Sequence, residues 1–523
     1  MVKIIPYTPE NLAVALSNDS TPPTVIKEKN HYKYLVHYLG EHGIKAKAIV
    51  IEDRYISKDF LHDFASYYAL CFENFSKFCK RIHFFDKEIT EAELDALLLE
   101  ENEEMNAGFW MRHYLGFVVV KPIPVTVIGY TVLKTYEEGS AVGRRHFWGL
   151  RNYHVHIFGR KVQLKSLAFQ EQDGVLAACA TTAIWTMLNK AATDYHTILK
   201  TPAEITSDAA KMSFDGSRLF PNKGLDLAQI CQAIFNSGLV SEVKKPDYVL
   251  REKNRVISNS YLRRILRAYS PLGIPIILII KVPGNSPDAS HAITVMGYRM
   301  TPLSNKKPRK DIRWLADNIE RIYVHDDQWG PFARVSFNGR FELNTPWTQF
   351  HPGQLPTSVT NIIVPVYPKV RIAYEDILEI VVGLAAILRL LLADSLVADL
   401  VWDISINYSE EYKQQIRTEK IDAATKLRLM KESMPKYVWV ASAYIGTEKI
   451  MDFIFDATHV RKGMIFTEVL CFPEELPAIL LDHIQRNREG FVKLFTHPAA
   501  IEYIDFLIHR LSAITQVNTT MAN

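Results

Sequence analysis

Cysteine is scarce in this chain, with five residues, Cys71, Cys79, Cys179, Cys231 and Cys471, among 523. An odd, sparse set argues against a disulfide framework and for a reducing, cytosolic setting. Excess charge is also missing. The net value of +3 is too small to imply nucleic acid or an acidic membrane surface as a partner. No glycine-rich phosphate loop of the Walker or dinucleotide kind occurs, so kinase, ATPase and dehydrogenase chemistry lack support, and no cofactor is expected. Nor is there a long apolar run. The most apolar stretch, residues 377–401, is interrupted by Glu379, Arg389, Asp394 and Asp399. It falls short of the roughly 20 apolar residues of a membrane span and reads as a buried amphipathic helix. The N-terminus lacks an apolar core followed by a cleavage site, so no signal peptide is expected. Repeats and low-complexity tracts are absent.

What is present is an ordinary globular composition, 48% hydrophobic and 23% charged, able to form sizeable cores. An α+β fold class is expected, in three regions: an N-terminal α+β region (1–160), a central domain (161–370) and a mixed C-terminal domain (371–523). In the first, 45–53 reads as a strand. Ser57 is placed to cap a helix in which Phe60, Phe64, Tyr68, Cys71, Phe75 and Phe78 recur at helical spacing, with Cys71 and Cys79 on one face. His154 and His156 share one strand face, without the further ligands a metal site needs. In the central region, Thr201-Pro202-Ala203-Glu204 is a capping-box start, 225–235 is a helix stopped at Asn236-Ser237-Gly238, and 261–268 is a third helix. Strands are expected at 276–282, 291–298 and 321–327. The C-terminal region reads as an apolar helix (374–394), a charged helix (410–431), a strand (437–444) and a closing helix (502–514).

The chemistry concentrates in the central region. Asp173-Gly174 is a turn signal, and from Cys179 onward the residues read as a helix with an apolar side through Ala183, Ile184, Met187 and Leu188. Trp185 is expected to pack within it. Cys179 therefore falls in the first helical turn. There the helix dipole and a nearby imidazolium can favour the thiolate, and exposed N–H groups can receive an oxyanion. Gln172 and Gln170, just upstream, can each supply a side-chain donor. His291 opens a strand after the polar loop 284–290, where it can act as the base. It needs an acceptor on its other ring nitrogen, and Asp326 and Asp327 stand at the end of the next strand. Strand alternation would place one of these in the cleft and the other outside.

Glutamine, then a helix-opening cysteine, then a His-Ala strand ending Gly-Tyr, then a residue before Trp-Gly: this order resembles the papain-like cysteine peptidases. Its counterparts here are Gln172, Cys179, the strand His291-Ala292 to Gly297-Tyr298, and Asp327-Gln328-Trp329-Gly330. The bacterial branch that cleaves double-glycine leader peptides looks closer still. It uses aspartate as third residue, and Gly273-Ile274-Pro275-Ile276 matches its Gly-x-Pro strand before the histidine. The likeness covers about 160–340. Gln172 precedes the cysteine by seven positions where the family usually has six, and Ala180 stands where many relatives have glycine. Aligning on Trp-Gly selects Asp327, and aligning on Asp-x-x-x-Gly selects Asp326. The insertion at 299–320, with its Lys306-Lys307-Pro308-Arg309-Lys310 tip, is expected to form a basic lobe. The resemblance implies a papain-like core and a thiol hydrolase cleaving peptide or isopeptide bonds through a thioester. No metal is expected. The partners it implies are a protein or peptide substrate and a protein partner at the flanking regions, with no nucleic acid and no membrane. The same apparatus also serves acyl transfer and deamidation, and an inactive binding scaffold is the rival reading.

Overall fold

A computed structural model of the chain describes residues 2–522 apart from 102, 140–142, 174–177, 195–196, 213–223, 250–254, 283–289, 304–310, 352, 393–395, 397–398 and 461–462. The architecture is mixed α+β with several separate sheets. Gly174, most of the loop before His291, and the 306–310 tip lie outside the described residues.

The chain divides into two compact units. The first comprises Met1–Asn259, Gly273–Arg299 and Arg321–Pro365. It opens with an antiparallel five-stranded meander of Val2–Pro6, Ala48–Tyr55, Cys79–Phe85, Tyr114–Val120 and Ile128–Leu133. These segments are dense in β-branched and aromatic residues, which suit a pleated, half-buried surface. A hairpin, Arg151–Ile157 with Arg160–Ser166, follows. Its alternating burial turns His154 and His156 outward together. The helix Cys179–Asp194 then buries Ala183, Ile184, Met187 and Leu188, and Trp185 meets Tyr130 edge-on at 5.7 Å. Thr201 and Glu204 form the capping box of Pro202–Ala210. Asp226 and Gln229 do the same for Leu227–Phe235. That helix ends before Gly238, whose φ of +95° suits glycine.

Six strands of the same unit close on themselves. Ile276–Lys281, Ser290–Met300, Ile319–Asp326, Gly330–Asn338, Glu342–Asn344 and Thr357–Val366 are hydrogen-bonded in that order, and the first also pairs with the last. Closure leaves no free edge on these core strands.

The second unit comprises Ser260–Leu272, Met300–Glu320 and Val366–Asn523. Its sheet orders Arg313–Trp314, Leu400–Tyr408, Tyr437–Ile445, Glu448–Asp456 and Phe466–Cys471. The apolar stretch forms the helix Tyr374–Leu391, with Ile377, Ile380, Val381 and Leu384 buried. The charged segment is two helices, Ser409–Thr418 and Ala423–Lys431. No helix among the described residues is long and apolar enough to cross a membrane.

One local expectation fails. The aromatic stripe after Ser57 is not one helix. Lys58–Ser66 ends where Tyr67 leaves helical geometry (φ −140°, ψ −57°), and Cys79 opens a strand, so Cys71 and Cys79 share no helix face. Ser57 precedes the helix without a side-chain cap bond. The physical cause is tertiary. Phe60, Tyr68 and Cys79 enter one hydrophobic cluster from separate segments, with Phe64, Cys71 and Phe75 packed against it. Arg54 lies over the Phe78 ring at 4.8 Å instead.

The helix Asn30–Leu39 packs tightly on the turn that follows Asp326. Tyr34 donates its hydroxyl to Pro331 O at 2.6 Å, and a Cβ at Gly330 would lie 2.2 Å from Tyr34 Cδ1. Gly330→Ala is therefore expected to cost about 1–3 kcal/mol and to lower the thermal midpoint measured by circular dichroism. In the Tyr34→Ala background the same change is expected to cost less than it does alone, because the clashing ring is gone.

Candidate functional site

Three supports bring the site together in the first unit. The first is the cysteine helix. Cys179 is its opening residue and half-buried. Ala183 O, one turn further on, accepts from Thr294 Oγ1 at 3.1 Å. That bond ties the helix to the histidine strand, where His291 pairs with Ile280 in register.

The second support is the segment before the helix. Phe169 and Thr131 exchange backbone hydrogen bonds at 2.8 and 2.9 Å, and Glu171 N donates to Ile128 O at 3.0 Å. The segment thus continues the N-terminal meander. Glu171 accepts from Ile128 N at 3.1 Å and from Lys29 Nζ at 2.6 Å. Gln170 is buried and its Nε2 has no hydrogen-bond partner among the described residues, whereas Gln172 is half-buried. The link from Gln172 to Cys179 runs through residues outside the description, so both glutamines stay candidates for an oxyanion donor.

The third support is the acidic strand end. His291 Nε2 lies 2.8 Å from Asp326 Oδ1 and 3.6 Å from Asp327 Oδ1. Gln328 N also donates to Asp326 Oδ1, at 3.1 Å. Both carboxylates therefore approach the imidazole, which corrects the expectation that alternation would turn one of them away. The strand register breaks between Val324 and Asp326, and a turn closed by Trp329 N to Asp326 O at 2.9 Å begins at once. Alternation does not extend through a bulge and a turn. The irregularity sends His325 to the other side, edge-on to Phe332 and Phe169. Burial lowers its pKa to about 3, so it stays neutral.

With Nε2 taken by Asp326, Nδ1 is the ring nitrogen left over, and the Cys179 side chain acts on the same imidazole. Burial works against a charged His291. The Asp326 charge and hydrogen bond, the Cys179 contact and the Asp327 charge outweigh it and hold the pKa well above the ordinary histidine value. Burial, reinforced by Asp326, raises the Asp327 carboxyl to about 7 even though His291 opposes this. Trp347 faces His291 edge-on at 6.2 Å and Trp329 at 5.7 Å, and the His291–Asp326 pair is buried.

Sequence reasoning missed three contributors. His31 Nε2 lies 2.7 Å from Asp327 O, and its Nδ1 lies 3.6 Å from Glu171 Oε1. With Lys29 it joins the second support to the third. No motif marks His31, nor Trp347, and only their fold positions reveal them. Glu171 lies between the two candidate glutamines, and that place was a usable alternation signal.

His291, Asp326 and Asp327 also bring one ligand atom each within 4.8 Å of one another, a grouping able to hold a metal ion. The cysteines differ among themselves in setting. All five are free, and burial raises the thiols of Cys79 (to about 12), Cys231 and Cys471.

The raised Asp327 pKa fixes a sign. A carboxyl whose folded pKa exceeds its unfolded value near 3.9 favours folding below that value and loses the advantage as pH rises through about 7. Asp327→Asn mimics the protonated form. Its thermal midpoint is expected to exceed wild type by a few degrees at pH 8 and to converge with it near pH 4, as checked by melting curves across that range.

No protein-family model matches this chain, and no curated protein is similar to it in sequence. The reading of the site rests on its geometry.

Proposed function

We propose that the protein is a thiol-dependent hydrolase of peptide or isopeptide bonds, built on a core that resembles the papain-like peptidases. One observation carries the reading: a buried imidazole has the side chain of a helix-opening cysteine on one side and a carboxylate at 2.8 Å on the other. In this reading the helix N-terminus and imidazolium favour the Cys179 thiolate, which attacks the carbonyl carbon. His291 passes a proton to the leaving amine, and a thioester remains. Water, deprotonated by His291, then releases the acid. Asp326 holds the ring orientation and stabilises the imidazolium. Asp327, whose backbone carbonyl is gripped by His31, stands behind the pair and adds negative charge there as it ionises near pH 7. The first-turn N–H groups, with Gln172 or Gln170, receive the oxyanion. Burial of the His291–Asp326 pair strengthens each electrostatic step. Acyl transfer and deamidation would use the same steps with another acceptor or substrate.

Iodoacetamide near pH 6 is expected to label Cys179 faster than the other four cysteines. His291→Ala should slow that labelling by about 10²-fold or more, within the range general base chemistry supplies. Asp326→Asn should slow it by less. Uniform slow labelling of all five cysteines would identify an inactive scaffold instead. Labelling that changes on chelation would favour a metal held by His291, Asp326 and Asp327. Comparing proteins cleaved in the presence of wild type and of Cys179→Ala would identify the substrate.

A further inference from the structure

A cavity of about 380 Å³ opens elsewhere in the first unit, lined by Lys45, Lys47, Lys134, Arg145, Arg334 and Tyr136 among others. Its volume lies within the range of small-ligand pockets. Five cationic side chains share the lining with two carboxylates, Asp86 and Glu137. Asp86 is already committed to His113 Nδ1 at 2.8 Å, and Glu137 is exposed. None of the three lysines takes part in an ion pair among the described residues.

Neutral groups hold the two guanidiniums in place. Arg145 donates from Nε to the Tyr323 hydroxyl at 2.8 Å and from Nη1 to Glu137 O at 2.6 Å. Arg334 lies over the Tyr136 ring, 4.0 Å from its centroid, and donates from Nη2 to His42 O at 3.1 Å. Its Nε is buried without a partner among the described residues. Both arginines therefore keep their full charge in fixed positions.

Unneutralised like charges facing one hollow repel each other and cost stability. The chain as a whole carries only +3, so this excess is local. A concave wall of one sign focuses potential and concentrates counter-ions, and a single carboxylate would leave most of this charge unmatched. Preset guanidiniums suit phosphate oxygens, which accept their paired N–H bonds. We propose that this cavity binds a small polyanion carrying two or more phosphate groups, independently of the cysteine chemistry. A half-open hollow of this volume, rather than an extended basic stripe, favours a small ligand over a nucleic-acid strand.

Calorimetric titration of the full chain with ATP, and separately with inorganic tripolyphosphate, tests this. Saturable binding at one site is expected, weaker at higher salt. It should fall at least about tenfold (~1.4 kcal/mol) in Lys45→Ala/Lys47→Ala, two exposed positions, and also in Arg145→Gln. Lys161→Ala/Lys165→Ala removes the same charge from the exposed face of the hairpin and should leave binding unchanged. Tripolyphosphate binding as well as ATP would mean that phosphate alone is recognised, and tighter ATP binding would add a contact to the nucleoside. The proposal is overturned if neither probe binds saturably, if the two lysine pairs weaken binding equally, or if a single-stranded oligonucleotide binds where both probes fail.

Discussion

The structure around the site depends on one constraint: the His291–Asp326 hydrogen bond, 2.8 Å long, lies almost entirely out of water, with side-chain exposures of 5% and 1%. Removing charges from water is costly, and the low local dielectric then makes their mutual attraction strong. Such a pair persists only if its geometry is held. The neighbouring elements supply that geometry. The bulge before Asp326 turns the carboxylate inward, the Trp329–Gly330 turn keeps it there, and Trp347 covers the ring. The second carboxylate, Asp327, is kept close although burial opposes its charge.

Much of this was legible in local spacing. A cysteine after a turn signal and before a helical apolar stripe lies at the helix start whatever surrounds it. A β-branched run after His291 makes a strand, so His291 comes near its mouth. The capping residue Thr201 behaves as its side-chain chemistry requires, whereas the cap at Asp226 was not read. Misreadings arose where tertiary packing overrides a local pattern. The aromatic residues from Phe60 to Phe78 have helical spacing, yet three segments share the work of burying them. Alternation at Asp326 and Asp327 failed for a related reason, since the period of two holds only while the strand remains regular.

The largest hidden component is the part played by the N-terminal region. By sequence it is a flanking segment without a recognisable motif. In the structure its meander carries the strand of residues before Cys179, and its helix Asn30–Leu39 grips the turn after Asp326 through His31 and Tyr34. Contacts of this kind depend on which surfaces meet in three dimensions, and neither His31 nor Tyr34 is unusual in its own stretch of chain. Glu171, bonded to both Lys29 and Ile128 N, is the point where the two contributions join.

That brace has a consequence for synthesis. His31 and Asp327 lie 296 positions apart, and a ribosome adding about 5–20 residues per second would need roughly 15–60 s to travel between them. For most of that interval the helix and meander can fold, and the cysteine helix can emerge, before His291 and Asp326 have been made. The strand ring closes only when Thr357–Val366 has been made. Cys179 is thus made well before His291 and Asp326, and the three meet only when the strand ring of the first unit can form.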